Sequence, residues 1–187
     1  MRRADRARWK RAATVADLGE LVIAWLNGEV RETPAHCGPP AAETLPLIPE
    51  LTVLNRAGFI TDNSKRADSR GDRTWNTWVS GFASDEVLAR LDDAVAGAPL
   101  LLTACRGCHH ECHLRADEWW HCPWKDTADF WAERCPRAAD EIYGCWYVCV
   151  SDPEPGRNDV LWPALEGIAR RTGTGSPGGP PASEEDL

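Results

Sequence analysis

The chain has 187 residues, a formal charge of −8, 43% hydrophobic and 27% charged side chains, eight Cys and ten Trp. That length can bury a core without covalent staples, and the composition is that of a globular chain, which excludes the disordered and fibrous classes. No apolar run reaches the ~18 residues of a membrane span, and the acidic balance argues against coating nucleic acid through general basicity.

The charge is unevenly placed. Residues 1–11 carry Arg2, Arg3, Arg6, Arg8, Lys10 and Arg11 against Asp5 alone, which leaves 15 basic and 28 acidic residues for the rest, or −13. A secretory leader would need an apolar core of about 7–15 residues after such an arm, and Thr14, Asp17 and Glu20 interrupt the stretch that follows. The expectation is a cytoplasmic chain whose arm is a solvated helix start, with a phosphate-contacting arm as the alternative. In that compartment disulfides are rare, so clustered cysteines read as metal-binding or catalytic.

In chain order, Thr14 caps a helix with Asp17 at its third position, and Val15, Leu18, Leu21, Val22, Trp25 and Leu26 keep helical spacing up to Gly28. Residues 33–41, with three Pro and one Gly, form a loop. A second helix runs over about 47–57, with Pro49 in its first turn. Phe59–Thr61 reads as a short strand, 62–73 as a polar surface loop, and 74–82 as a strand paired with the first in a long-looped hairpin. Ser84 caps a third helix carrying Val87, Leu88, Leu91, Ala94 and Val95. Residues 99–104 are an apolar run typical of a central strand. A helix near Thr127 is broken by Pro136, which opens a short helix to about Tyr143. Cys145–Val150 is a strand by its aromatic and β-branched content. A final helix ends near Arg171, its start obscured by Pro163. Residues 172–187, rich in Gly, Pro and Ser and ending in acid, read as a disordered tail. The order predicts an α+β (or α/β) domain over 1–171, with about four strands packed by helices.

The unusual segment is 104–125, a Cys/His/Trp-rich insertion that holds four of the eight Cys and four of the five His. Cys105-x-x-Cys108 can fold into a knuckle that offers two thiolates to one metal. Cys112 or His113, and then His121 or Cys122, can complete a tetrahedral zinc site. No second CxxC stands at matched spacing, so reduced cysteines with surface histidines, or a Cys105–Cys108 disulfide, stay open. The CxxCH haem-attachment pattern and the zinc-protease and deaminase signatures fit poorly in order or spacing. Trp119, Trp120 and Trp124 flank the segment, as a local core or as a partner surface. A catalytic zinc would need an open position and a carboxylate such as Glu111 or Glu118.

LNRAGFITDNS (54–64), WVSGFA (78–83) and SDPEPGRNDVLWPAL (151–165), with WKRAATVADLGELVIAWLNGEV (9–30), resemble the signature segments of an uncharacterised family of small proteins from high-GC Gram-positive bacteria. The resemblance implies no known chemistry, and the Cys/His segment departs from the family pattern. Within the matching segments Thr61, Ser64, Arg157, Asn158 and Asp159 are polar and lie at element ends, where ligand sites occur, so they are candidate ligand-binding residues. The function expected is a zinc-stabilised binding or regulatory module, its partner a protein or small ligand rather than nucleic acid. A metal-dependent hydrolase and an acidic decoy that occupies a nucleic-acid-binding surface are the alternatives.

Overall fold

The computed structural model describes residues 1–70, 73–107, 112–115, 118–120 and 124–170, with backbone alone at 69–70, 73–74, 112–115, 118–120 and 169–170. The basic arm is a helix, α1 (Arg3–Trp9). It is docked rather than solvated all round. Trp9 is fully buried and donates from Nε1 to the Glu32 carbonyl at 2.9 Å, and Asp5 accepts from the Arg31 amide at 3.1 Å. Truncating a buried indole of this kind costs about 3–5 kcal/mol, so packing holds the arm against the mutual repulsion of its cations.

Helix α2 (Val15–Leu26) opens as the spacing predicts. The Thr14 hydroxyl accepts from the Asp17 amide, and the Asp17 carboxylate accepts in return from the Ala13 and Thr14 amides. A short 3-10 turn precedes α3 (Ile48–Arg56), with Pro49 in its first turn, where no N–H is missed. Gly19 lets these helices meet closely, since a Cβ there would stand 2.8 Å from the Asn55 carbonyl oxygen.

The expected hairpin is present with shifted bounds. Strand β1 (Ile60–Lys65) is longer than its sequence suggests, and a two-residue ladder of β2 (Ser69–Arg70) with β3 (Arg73–Thr74) lies in the loop before β4 (Trp78–Ala83). Asp62–Lys65 look like loop because they are polar, but they lie on an edge strand, where one side of the backbone needs no partner strand. Ser84 accepts from the Val87 amide to start α4 (Asp85–Val95). Strand β5 (Leu101–Cys105) follows, and the Cys/His segment adds an antiparallel pair, β6 (Cys112–Arg115) with β7 (Glu118–Trp120). Helices α5 (Trp124–Arg134) and α6 (Ala139–Gly144) lead into β8 (Trp146–Ser151), so Cys145 sits just before the strand rather than in it. Helix α7 (Leu161–Arg170) carries Pro163 as its third residue, which resolves where it begins.

The result is an α+β fold with a four-stranded antiparallel sheet in the order β1-β4-β8-β5. The last strand in sequence is therefore central, and the apolar run 101–105 is an edge, contrary to its expected place. Directly opposed residues share a face, so Ser80, Phe82 and Tyr147 lie on one side and Gly81 and Val148 on the other. On the first side Phe82 meets Trp131 and Tyr147 edge-on at 5.8 and 5.5 Å between ring centroids, and Trp131 in turn meets Trp9 at 5.8 Å. No helix among the described residues is long and apolar enough to cross a membrane. The disordered tail expected at 172–187 lies outside the described residues.

Candidate functional site

The most unusual chemistry grows from a defect in the sheet. Thr61 pairs with Gly81 and Asn63 with Ser80, so Asp62 is one residue too many, a β-bulge. Bulges re-aim side chains and recur beside active sites. Gly81 permits this one, because a Cβ at that position would lie 2.1 Å from the Ile60 carbonyl oxygen. Across the bulge Thr61 reaches toward α3, where its hydroxyl accepts from Asn55 Nδ2 at 2.7 Å. Asp62 reaches to the opposite side. Its Oδ1 accepts from Trp131 Nε1 at 2.8 Å and its Oδ2 from the Tyr147 hydroxyl at 3.2 Å, and Tyr147 in turn shares a 2.9 Å hydrogen bond with Ser80 Oγ.

Burial dominates the electrostatics here. Loss of solvent raises the Asp62 carboxyl above its ordinary value. The Trp131 hydrogen bond, the His36 charge and the Tyr147 hydrogen bond oppose the shift without cancelling it. Burial and the neighbouring Asp62 charge likewise raise the Tyr147 phenol. A carboxyl that keeps its proton above the usual range, linked to a phenol and a hydroxyl, is the arrangement in which acid–base groups are found, although structural networks also produce it.

His36 connects this cluster to the surface. Its Nε2 lies 2.7 Å from the Asp62 carbonyl oxygen, which can only accept, so that nitrogen carries the proton. The ring stacks on Trp25 at 5.4 Å between centroids and 9° between planes. Among the described residues His36 Nδ1 has no hydrogen-bond partner. Thr33 fixes the loop, accepting from the His36 amide at 2.9 Å. A cleft of about 370 Å³ lies here, between the loop around residues 35–44 and the outer edge of β1, bordered by His36, Cys37, Glu43, Thr61, Asn63 and Ser64. Side chains rather than a strand close that edge. Asn55 Oδ1 takes the Thr61 amide at 3.1 Å and Asn63 Oδ1 the Ser64 amide at 2.9 Å.

Of the five expected ligand residues, Thr61 and Ser64 border this cleft, Thr61 with its hydroxyl engaged by Asn55. The other three lie elsewhere. Arg157 grips the fully buried Asp152 with Nε on Oδ2 and Nη2 on Oδ1, both at 2.6 Å. Burial disfavours the Asp152 charge, but the Arg157 hydrogen bonds, the Glu154 amide and the Arg157 charge outweigh it and hold the carboxyl below its ordinary value. Asn158 donates to the Ala67 carbonyl and accepts from the Ala67 amide at 3.0 and 2.7 Å. Segments 54–64 and 151–165 thus converge, through backbone just past Ser64 rather than around a shared ligand site. Asp159 is exposed.

Cys108, His121 and Cys122 lie outside the described residues, as do the side chains of Cys112 and His113. Cys105, at the end of β5, is disulfide-bonded, so the thiolate that a zinc site would take from it is engaged. Among the described residues no group of three or more His, Cys, Asp or Glu is placed to hold a metal. Cys37, Cys135, Cys145 and Cys149 are free thiols, all buried except Cys37.

Asp62, His36, Tyr147 and Trp131 did not stand out in the sequence. Asp62 read as loop, His36 sat in a Pro-rich stretch, and the two aromatics are 69 and 85 residues beyond the acid they serve. No curated protein matches the chain. Residues 4–112 match a family described as a domain of unknown function, DUF6919, and this match takes in the bulge and the whole His36 cleft while Trp131 and Tyr147 lie beyond it. Covering more than half of the sequence, it establishes that the chain belongs to the DUF6919 family.

Proposed function

We propose that this chain is a binding module for a small polar ligand, seated in the His36 cleft beside the edge of β1. The observation that carries the reading is His36 Nδ1, without a hydrogen-bond partner among the described residues, at a concave site bordered by the bulged residue Asp62. The cleft volume falls within the range of about 300–1,000 Å³ typical of small-molecule sites. A larger cavity of about 720 Å³ runs between α2, α3, α4 and α6. Three of its acids are committed, Asp17 to the α2 cap, Glu141 to the Val15 amide and Asp85 to Arg106 and Trp146, while Glu20 and the Arg90 Nε and Nη1 atoms on its wall have no hydrogen-bond partner among the described residues. The smaller cleft is favoured because it lies beside the raised Asp62 carboxyl. Screening small polar metabolites by thermal shift tests the reading. A true ligand raises the melting temperature of the native chain and loses that effect in His36→Ala. Equal shifts in both proteins would place the ligand elsewhere.

A second reading keeps zinc. It is supported by the hairpin register, which pairs Cys112 with Trp120, one residue short of His121 in sequence. The disulfide at Cys105 and a zinc thiolate at Cys105 exclude one another, so the metal state belongs to reducing conditions. Elemental analysis of protein purified under reductant, beside Cys105→Ser, tests this. One zinc per chain, lost in the variant, supports it, and metal-free protein with intact fold sinks it. The cytoplasmic address belongs to the same proposal; the four free thiols favour it, and the Cys105 disulfide counts against it.

A further inference from the structure

The His36 cleft leaves the basic arm without a role. A neighbouring cleft of about 400 Å³, sharing Ala35 and Cys37 with the first, lies between α1, the 32–37 loop and the end of α5, and it is bordered by five charged side chains: Arg6, Lys10, Arg134, Glu32 and Glu133. Two of the five are spoken for by a third and by the Met1 amino group, since Glu32 takes the amino group at 2.7 Å and Glu133 takes Arg134 at 3.3 Å. What remains is Arg6 and Lys10, four residues apart and therefore on one face of the helix. Among the described residues the Lys10 side chain has no partner, and Arg6 has only a 3.4 Å contact to the Met1 carbonyl. Exposed cations on a loose arm would mean little. These sit on a helix pinned by buried Trp9 and Asp5, so their spacing is held before any ligand arrives.

The opposite wall adds a flat apolar element. Phe130 is 39% exposed, and the Arg134 guanidinium lies over its ring at 3.4 Å from the centroid. Two uncompensated positive charges match a phosphate monoester dianion, and the ring with its stacked guanidinium suits a planar organic group attached to it. The concavity favours a small molecule over a polymer, which would need a strip of charge along the surface rather than a pocket. The carboxylate surplus elsewhere, −13 beyond residue 11, would repel a long polyanion on either side.

We infer that the Arg6–Lys10–Arg134 cleft is a binding site for a small phosphate monoester bearing a planar group, of the nucleoside monophosphate class. It is distinct from the His36 cleft and does not depend on it. The test uses isothermal titration of the full chain at low salt with adenosine 5′-monophosphate, adenosine and inorganic phosphate. The nucleotide binds more tightly than either fragment. Arg6→Ala with Lys10→Ala weakens it at least tenfold. Arg3→Ala with Arg11→Ala removes the same charge from the same arm outside the cleft and changes it less than threefold. Phe130→Ala weakens the nucleotide and leaves phosphate unchanged. Absence of nucleotide binding at millimolar concentration overturns the inference, as does equal weakening by the two double variants, which would reduce the effect to general charge. Binding of single-stranded DNA in preference to the mononucleotide would likewise overturn it in favour of a polyanion surface. His36→Ala, expected to be silent here, separates a failure of this site from a failure of the other.

Discussion

The buried acid gives the sharpest prediction. Asp62→Leu leaves Trp131 Nε1 without its acceptor, while the Tyr147 hydroxyl can still donate to Ser80 Oγ. A buried donor stripped of its partner costs about 1–3 kcal/mol, which is the loss expected here. Asp62→Asn behaves differently. Its amide oxygen still accepts from Trp131, and its amide N–H can donate to Tyr147, whose own proton then turns to Ser80 Oγ, 2.9 Å away. With the wild-type carboxyl protonated, the Asn variant should lie within ~1 kcal/mol of wild type. Ionisation then separates them. The folded-state value of Asp62 is raised above the ordinary 3.8, so between the two values the folded chain holds a proton that the unfolded chain has released. Its stabilising contribution is full below the unfolded value and is lost as pH rises through the folded one. Each unit of difference is worth about 1.4 kcal/mol. Wild type therefore loses ground to Asp62→Asn as pH rises above 3.8 through the folded value. Urea unfolding followed by tryptophan fluorescence at several pH values measures it. A gap between the two proteins that stays constant, or that moves toward wild type with rising pH, refutes the raised carboxyl.

Three other outcomes follow from the same geometry. Gly81→Ala forces a Cβ onto the Ile60 carbonyl and must separate β1 from β4, so a loss of about 3 kcal/mol or more is expected in the urea midpoint, and a loss under ~1 kcal/mol would show that the bulge is loose. Arg157→Ala strands the fully buried Asp152 carboxylate and costs about 3–5 kcal/mol at neutral pH. Because the folded-state value of Asp152 is lowered, its contribution is present above 3.8 and lost as pH falls through the folded value, so the penalty should shrink in acid, and a pH-independent penalty would refute the pairing. Burial pushes Cys135 up to about 12 and Cys145 and Cys149 up to about 11, chiefly by desolvation, while Cys37 is exposed. Of these four thiols only Cys37 should react with an aromatic disulfide reagent in the native state, as peptide mapping would show.

The amino-acid sequence by itself determined the elements whose signals are local. Thr14 with Asp17 and Ser84 with Val87 mark helix starts because a side chain bonds a backbone amide three residues away. Pro49 fits a first turn because no amide there needs a partner, whereas the place of Pro163 in its helix was decided only by the structure. The aromatic and β-branched run before residue 151 is a strand for the same local reason, and together these elements sufficed for the α+β class. Thr61 and Ser64, picked out as polar residues at an element end, do reach a cleft. Everything that turns on long-range pairing was decided by the tertiary structure. The place of β8 between β4 and β5 made the last strand central and the apolar run at 101–105 an edge. The bulge that turns Asp62 inward depends on register against Gly81 and Ser80, which no periodicity within β1 encodes. Arg157 and Asn158 look like ligand residues in sequence, yet the fold supplies Asp152 and Ala67 as their partners. The basic arm reads as solvated until Trp9 finds Trp131, more than a hundred residues away, and anchors Arg6 and Lys10 in place. Hydrophobic period and capping chemistry act over a few residues, whereas the charges and hydrogen bonds that make a site come from chain segments that only packing brings together.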